Sequence, residues 1–140
     1  MKKNGFSLIE LVLAIFILTM AVFSSFALIQ RITSFAFASQ NKLTAYYLAQ
    51  EGIENARNIR DNNWLKGEGW TTGLPTTTEP LVENNLLDKF TRTTTANLTE
   101  DGYLQVKYLQ VKVVVSWTEH GLPQQIAVLT NLYNWYESEE

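Results

Sequence analysis

The sequence predicts an α+β protein: one long N-terminal α-helix, with a small antiparallel β-sheet packed on the second half of that helix. Three observations carry the prediction. Leu11 to Ile29 is an unbroken run of nineteen residues with no charge, Pro or Gly. From there to Gly67 the chain holds no Pro, and Gly52 is its one helix-weakening residue, so a helical period continues without a break. The last third alternates apolar and polar residues with period two, the mark of half-buried strands.

Composition narrows the function. A length of 140 residues suits one modest core rather than two. With no Cys there is no disulfide framework, thiol nucleophile or Cys-ligated metal. A formal charge of −3 argues against a general nucleic-acid binder, which needs a basic surface to meet phosphates.

Residues 6–31 are the first large element. The 24 residues from Phe6 to Ile29 span roughly 36 Å as a helix, enough to cross a hydrocarbon core of about 30 Å with some tilt. Lys2 and Lys3 before the run place the N-terminus in the cytoplasm and the remainder outside. A cleaved secretory signal is one competing reading, since Ala36-Phe37-Ala38 fits an A-x-A site; the apolar run, however, exceeds the usual ~7–15 residues of a signal core. A plain single-pass anchor is the other. Neither explains Glu10.

An ionised side chain inside a membrane segment costs about 2.5–3.5 kcal/mol and is usually paired or functional. Snorkelling toward the cytoplasmic face softens that cost without giving Glu10 a purpose. Cutting the chain between Gly5 and Phe6 supplies a partner, because the new α-amine on Phe6 is a cation four residues from Glu10. Within one chain, i and i+4 are neighbours on a helix; between chains, the same pair permits only a stagger that strands neither charge. Both pairings remain open on sequence.

The run Gly5-Phe6-Ser7-Leu8-Ile9-Glu10-Leu11, followed by an uninterrupted apolar helix, resembles the N-terminal signature of type IV prepilins and type II secretion pseudopilins. The resemblance implies a leader at residues 1–5, cleavage after Gly5 by a membrane prepilin peptidase and N-methylation of Phe6. It also makes Glu10 the carboxylate that neutralises a neighbouring subunit's α-amine during filament assembly. The implied partners are the peptidase, other pilin or pseudopilin subunits and the inner membrane.

Residues 32–62 continue the helix in amphipathic form. Ala45, Leu48, Ala49, Gly52, Ile53, Ala56 and Ile59 share one face, and Glu51, Glu54, Asn55 and Asn58 lie on the other. A helix from about Phe6 to Asn62 is near 85 Å long if straight. Its small strip at 45, 49, 52 and 56 invites close approach of a sheet. Glu54 with Arg57, and Arg57 with Asp61, have spacings that add weak surface support.

Residues 63–140 form the remaining region. Glycines 67, 69 and 73, Pro75, Pro80 and the Thr76-Thr77-Thr78 run read as loop through about residue 85, packed on the helix by Trp64 and Trp70. Leu81 to Leu87 fits either a helical turn or a loop. Phe90 to Ala96 reads as a strand, and Leu109 to Thr118 as a strand with one buried face. Glu119 to Pro123 suits a turn, and Gln125 to Tyr133 the return strand. Tyr103-Leu104-Gln105-Val106-Lys107 recurs at once as Tyr108-Leu109-Gln110-Val111-Lys112. Five is odd, so a bulge or bend near Tyr108 is expected.

A helix with a sheet on its second half is also the pilin layout, and Phe90 through Trp117 to Leu132 is similar to minor pilins and minor pseudopilins. Two features depart from many major pilins: Thr19 and Ala27 stand where a helix-loosening Gly or Pro is common, and no Cys exists for a C-terminal disulfide.

No catalytic constellation emerges. His120 sits alone in a predicted turn, without a second His for a metal pair. Ser, His and Asp are present without a nucleophile elbow, and no phosphate-binding loop occurs. Asp61, Asp88, Glu100 and Asp101 match no calcium loop. Arg57, Arg60 and Lys66 form a small basic patch interrupted by Glu54 and Asp61, too weak for DNA capture. Glu137, Glu139 and Glu140 read as a solvating tail, and Asn97-Leu98-Thr99 as a glycosylation sequon of the kind chance supplies. The expectation is a non-enzymatic structural subunit of a type IV pilus or pseudopilus, of the minor kind, with no cofactor, metal or nucleic-acid partner. The alternative is a secreted or membrane-anchored extracytoplasmic binding domain without a filament role.

Overall fold

A computed structural model describes Gly5, residues 7–100 and residues 107–134. The expectations placed on Phe6, Asp101, Tyr103 to Val106 and the acidic tail lie outside those residues. The elements are α1 (Leu8–Lys66), β1 (Leu81–Leu86), β2 (Phe90–Glu100), β3 (Lys107–Glu119) and β4 (Leu122–Tyr133). This is the expected α+β arrangement. Residues 1–40 and 41–140 are two compact units.

In the first unit α1 is apolar all round between Leu11 and Ile29 apart from a few hydroxyls, and none of its most apolar eighteen-residue window is buried. Four of its hydroxyls are satisfied internally. Thr19 donates to the Phe16 carbonyl at 2.8 Å, Ser24 to Met20 at 2.8 Å, Ser25 to Ala21 at 2.9 Å and Thr33 to Ile29 at 2.9 Å. Back-bonding of this kind removes the cost of an unpaired hydroxyl in an apolar medium.

In the second unit the strands pair antiparallel in the order β1-β2-β3-β4. Ala45, Leu48, Ala49, Gly52, Ile53 and Ala56 of α1 are buried together with Leu109, Val111, Val113, Val115 and Trp117 of β3. This confirms the helix face read from period; Ile59, on its margin, is partly buried. Gly52 sets how close the sheet comes. A Cβ there would lie 3.0 Å from Val113 Cγ1, 3.1 Å from Arg92 Cδ and 3.3 Å from Thr94 Oγ1.

Several boundaries differ from expectation. The helix runs on to Lys66, with Gly67 (φ 70°) as its left-handed stop. The Glu68 amide reaches the Asn63 carbonyl at 2.9 Å and the Gly67 amide that of Trp64 at 3.1 Å, the Schellman pattern. Residues 81–86, read as a turn or loop, are an edge strand instead, because the polar Glu83-Asn84-Asn85 hid its pairing to β2. The register shift falls between Glu83 and Leu86, where Asn85 adopts φ 57°; among the described residues β3 pairs regularly from Tyr108 onward, with no bulge there. β2 extends past Ala96 to Glu100. The β3–β4 turn tightens to His120 (φ 49°) and Gly121 (φ 78°), both left-handed as a type I′ hairpin requires.

Two ties bring the loop onto the helix. The Asn63 amide donates to the carbonyls of Thr72 (2.8 Å) and Trp70 (3.3 Å), and Trp70 packs against the core. Trp64 is a helix residue rather than a loop one; its indole N–H donates to Asn134 Oδ1 at 2.9 Å, and the Arg60 guanidinium lies 4.6 Å from its ring centre.

Candidate functional site

The N-terminal site is built on the start of α1. Ser7 precedes the first helical residue, and its carbonyl accepts from the amides of Glu10 at 3.0 Å and Leu11 at 3.2 Å. Ser7-Leu8-Ile9-Glu10 has the spacing of a capping box, a signal the sequence reading passed over. Among the described residues, however, no side-chain hydrogen bond joins Ser7 and Glu10. The spacing nevertheless sets Glu10 in the first turn, where the helix dipole favours a carboxylate.

Gly5 is exposed, and a Cβ built on it meets nothing within 4 Å. Glu10 is exposed, and among the described residues no cation lies within ion-pair distance of its carboxylate. Its sequence-predicted partner, the Phe6 α-amine, lies outside them.

From Leu11 to Ile29 the exposed side chains form an uncharged, mostly apolar surface, with Phe23 75% exposed. An exposed helix that is apolar all round is not the core helix of a globular domain, and it requires lipid or other helices around it.

Residues 1–26 match the prokaryotic N-terminal methylation motif. The chain carries the type IV prepilin and pseudopilin signature. The match includes Gly5, Phe6, Glu10 and most of the apolar run, and stops short of the whole sheet unit. With the long apolar helix, it fits a precursor anchored in the inner membrane. No curated protein matches the chain, and no solved structure does.

A second polar cluster was not anticipated. Arg92, 1% exposed, stands on the inward face of β2 between Phe90 and Thr94. Its Nε and Nη2 donate to the two Glu83 oxygens at 2.6 and 2.9 Å, and its Nη1 to the Leu48 carbonyl of α1 at 2.8 Å. Glu51 approaches the same guanidinium at 3.3 Å. These hydrogen bonds hold the Glu83 carboxyl below its ordinary pKa against the opposing effect of burial, and they raise Arg92 further. The pattern Phe90-Arg92-Thr94-Ala96 holds the one clue: an Arg in phase with buried positions needs a carboxylate opposite.

Two of the three cations in the small basic patch are paired with acids. Arg57 pairs with Glu54 at 2.7 Å, as its spacing suggested. Asp61 pairs with Arg60 at 2.8 Å rather than with Arg57, and Arg60 is itself buried against Trp64. His120 occupies the hairpin turn, exposed. Among the described residues no group of three His, Asp or Glu side chains is placed to hold a metal ion.

Proposed function

We propose that the chain is a structural, non-enzymatic subunit of a type IV pilus or secretion pseudopilus, of the minor class, assembled through α1 after processing. The observation that carries this reading is the methylation motif at residues 1–26 joined to a helix whose apolar surface is uncovered from Leu11 to Ile29. Prepilin peptidase cuts after Gly5, and Phe6 becomes the N-methylated terminus. Glu10 then meets a neighbouring subunit's terminal amine, since in a dry helical bundle each charge is costly alone and tolerable when paired. The precursor spans the inner membrane with its N-terminus in the cytoplasm, and the sheet unit faces outward to other subunits.

Intact-mass spectrometry of the chain recovered from membranes tests this. A mature form beginning at Phe6 with one added methyl group supports it, and Gly5→Val should leave only the uncut precursor. A chain beginning at Ser39 would make it a secreted domain, and an uncut wild-type chain a plain anchor.

A further inference from the structure

The edge strand β1 is lightly held. It is six residues long, a register shift interrupts its pairing to β2, and Leu81 and Val82 are exposed. Within it only Glu83 and Leu86 are half-buried. The chain on either side is better anchored. Upstream, Leu74 is buried and the Ala96 amide donates to the Pro75 carbonyl at 2.7 Å; downstream, Phe90 is buried at the start of β2.

The turn that joins β1 to β2 is strained. Asn85, Leu87 and Asp88 adopt φ of 57°, 50° and 58°, and the Lys89 amide reaches the Leu86 carbonyl at 3.2 Å. Leu87 lacks the short polar side chain that eases Asn and Asp in this region. Straightening the chain as β1 leaves β2 releases that strain.

Among the described residues two side-chain ties cross from β1 to β2. Thr91 Oγ1 donates to Asn84 at a long 3.4 Å, and Arg92 binds Glu83. Arg92, however, has a second acid within reach. The Glu51 oxygens lie 3.3 Å from its Nη1 and 3.5 Å from its Nη2, against 2.6 and 2.9 Å for the Glu83 bonds. With Glu83 in place, Glu51 stays poorly matched, its side chain 59% exposed. The two acids belong to different elements: Glu83 moves with β1, while Glu51 stays on α1 beside the Leu48 carbonyl that also holds the guanidinium.

We infer that β1 is a releasable strap, and that Arg92 passes from Glu83 to Glu51 when the strap lifts. Removing one partner of a buried pair ordinarily strands the other charge. Here Arg92 keeps a carboxylate and the Leu48 carbonyl in both states, so the strap opens without that penalty. Its opening bares the paired edge of β2. The inference goes beyond the filament reading and stands whether or not the chain is cut at Gly5.

Amide exchange of the full chain in detergent at neutral pH tests this, read by mass spectrometry on a fragment covering residues 81–86 and on one from the middle of β3. In the wild type the β1 fragment should exchange at least about a hundredfold faster than the β3 fragment, the mark of opening short of global unfolding. Glu51→Gln, at an exposed helix position, should slow the β1 fragment about tenfold, because it takes more from the open state than from the closed one. The melting of the sheet unit should stay unchanged. Glu54→Gln, whose parent side chain is already paired with Arg57, should leave β1 exchange as it was. Equal rates for the β1 and β3 fragments overturn the strap. β1 exchange that Glu51→Gln leaves unchanged or quickens overturns the hand-over, since Glu51 would then be an ordinary contact of the closed state beside a fraying edge. Equal slowing by Glu54→Gln overturns it as well, as a general effect of surface charge.

Discussion

Arg92 and Glu83 face each other across the β1–β2 pair and share two hydrogen bonds, at 2.6 and 2.9 Å, with the guanidinium buried and the carboxylate at the margin of the core. The same guanidinium reaches the Leu48 carbonyl, so one side chain ties the edge strand to the helix. A lone buried cation would be costly; here the carboxylate and the helix carbonyl together offset its desolvation.

Because Arg92 holds Glu83 below its ordinary pKa of 4.5, the pair's contribution to stability has a definite pH dependence. It is fully present above the unfolded-state value and is lost as pH falls through the lower folded-state value. Glu83→Gln should therefore destabilise the sheet unit by about 1–3 kcal/mol near neutrality. The gap from wild type should narrow as the pH drops below about 4.5. Denaturant melts followed by tryptophan fluorescence at a series of pH values check this, and a gap constant down to pH 2 would refute it.

Gly52 is needed for closeness rather than for a turn. An added methyl would press on Val113, on Thr94 and on Arg92, which is pinned by its hydrogen bonds and has little room to yield. Gly52→Ala gains about 1 kcal/mol of helix propensity but should lose more to overpacking, for a small net destabilisation. Gly52→Val should cost about 3 kcal/mol or more. Thermal melts of both variants decide it.

The hairpin turn carries correctable strain. His120 and Gly121 both sit at positive φ, where a side chain on Cβ costs about 1–2 kcal/mol. His120→Asn should stabilise the unit by roughly 0.5–1 kcal/mol, since Asn suits the first position of a type I′ turn. Gly121→Ala should destabilise it by about 1–2 kcal/mol. Urea midpoints report both.

For the N-terminal site, Glu10→Ala should leave membrane insertion intact and lower incorporation into filaments by on the order of tenfold or more, because stranding one partner of a buried pair costs about 3–5 kcal/mol. Quantifying the variant in membrane and sheared-fibre fractions measures this. Undiminished incorporation would remove the pairing role from Glu10.

Where a feature depends on neighbours along the chain, the sequence alone was sufficient. The apolar run after Glu10, the helix face at 45, 48, 49, 52, 53 and 56 and the alternation from Leu109 to Trp117 are local periodicities, and each appears where it was read. So is the methylation motif, whose residues are contiguous. Features that depend on what lies opposite were not legible. Leu81–Leu86 is a strand because β2 supplies its ladder, although Glu83-Asn84-Asn85 has weak strand preference. Nothing local in the Thr-rich strand names the partners of Arg92, since Glu83 and Leu48 are brought to it from nine and 44 residues away. The open edge of β4 follows from strand order, which no local pattern encodes. Periodicity settles which face of an element is apolar; tertiary structure alone decides what meets that face, because burial, ion pairing and sheet edges are relations between segments distant in the chain.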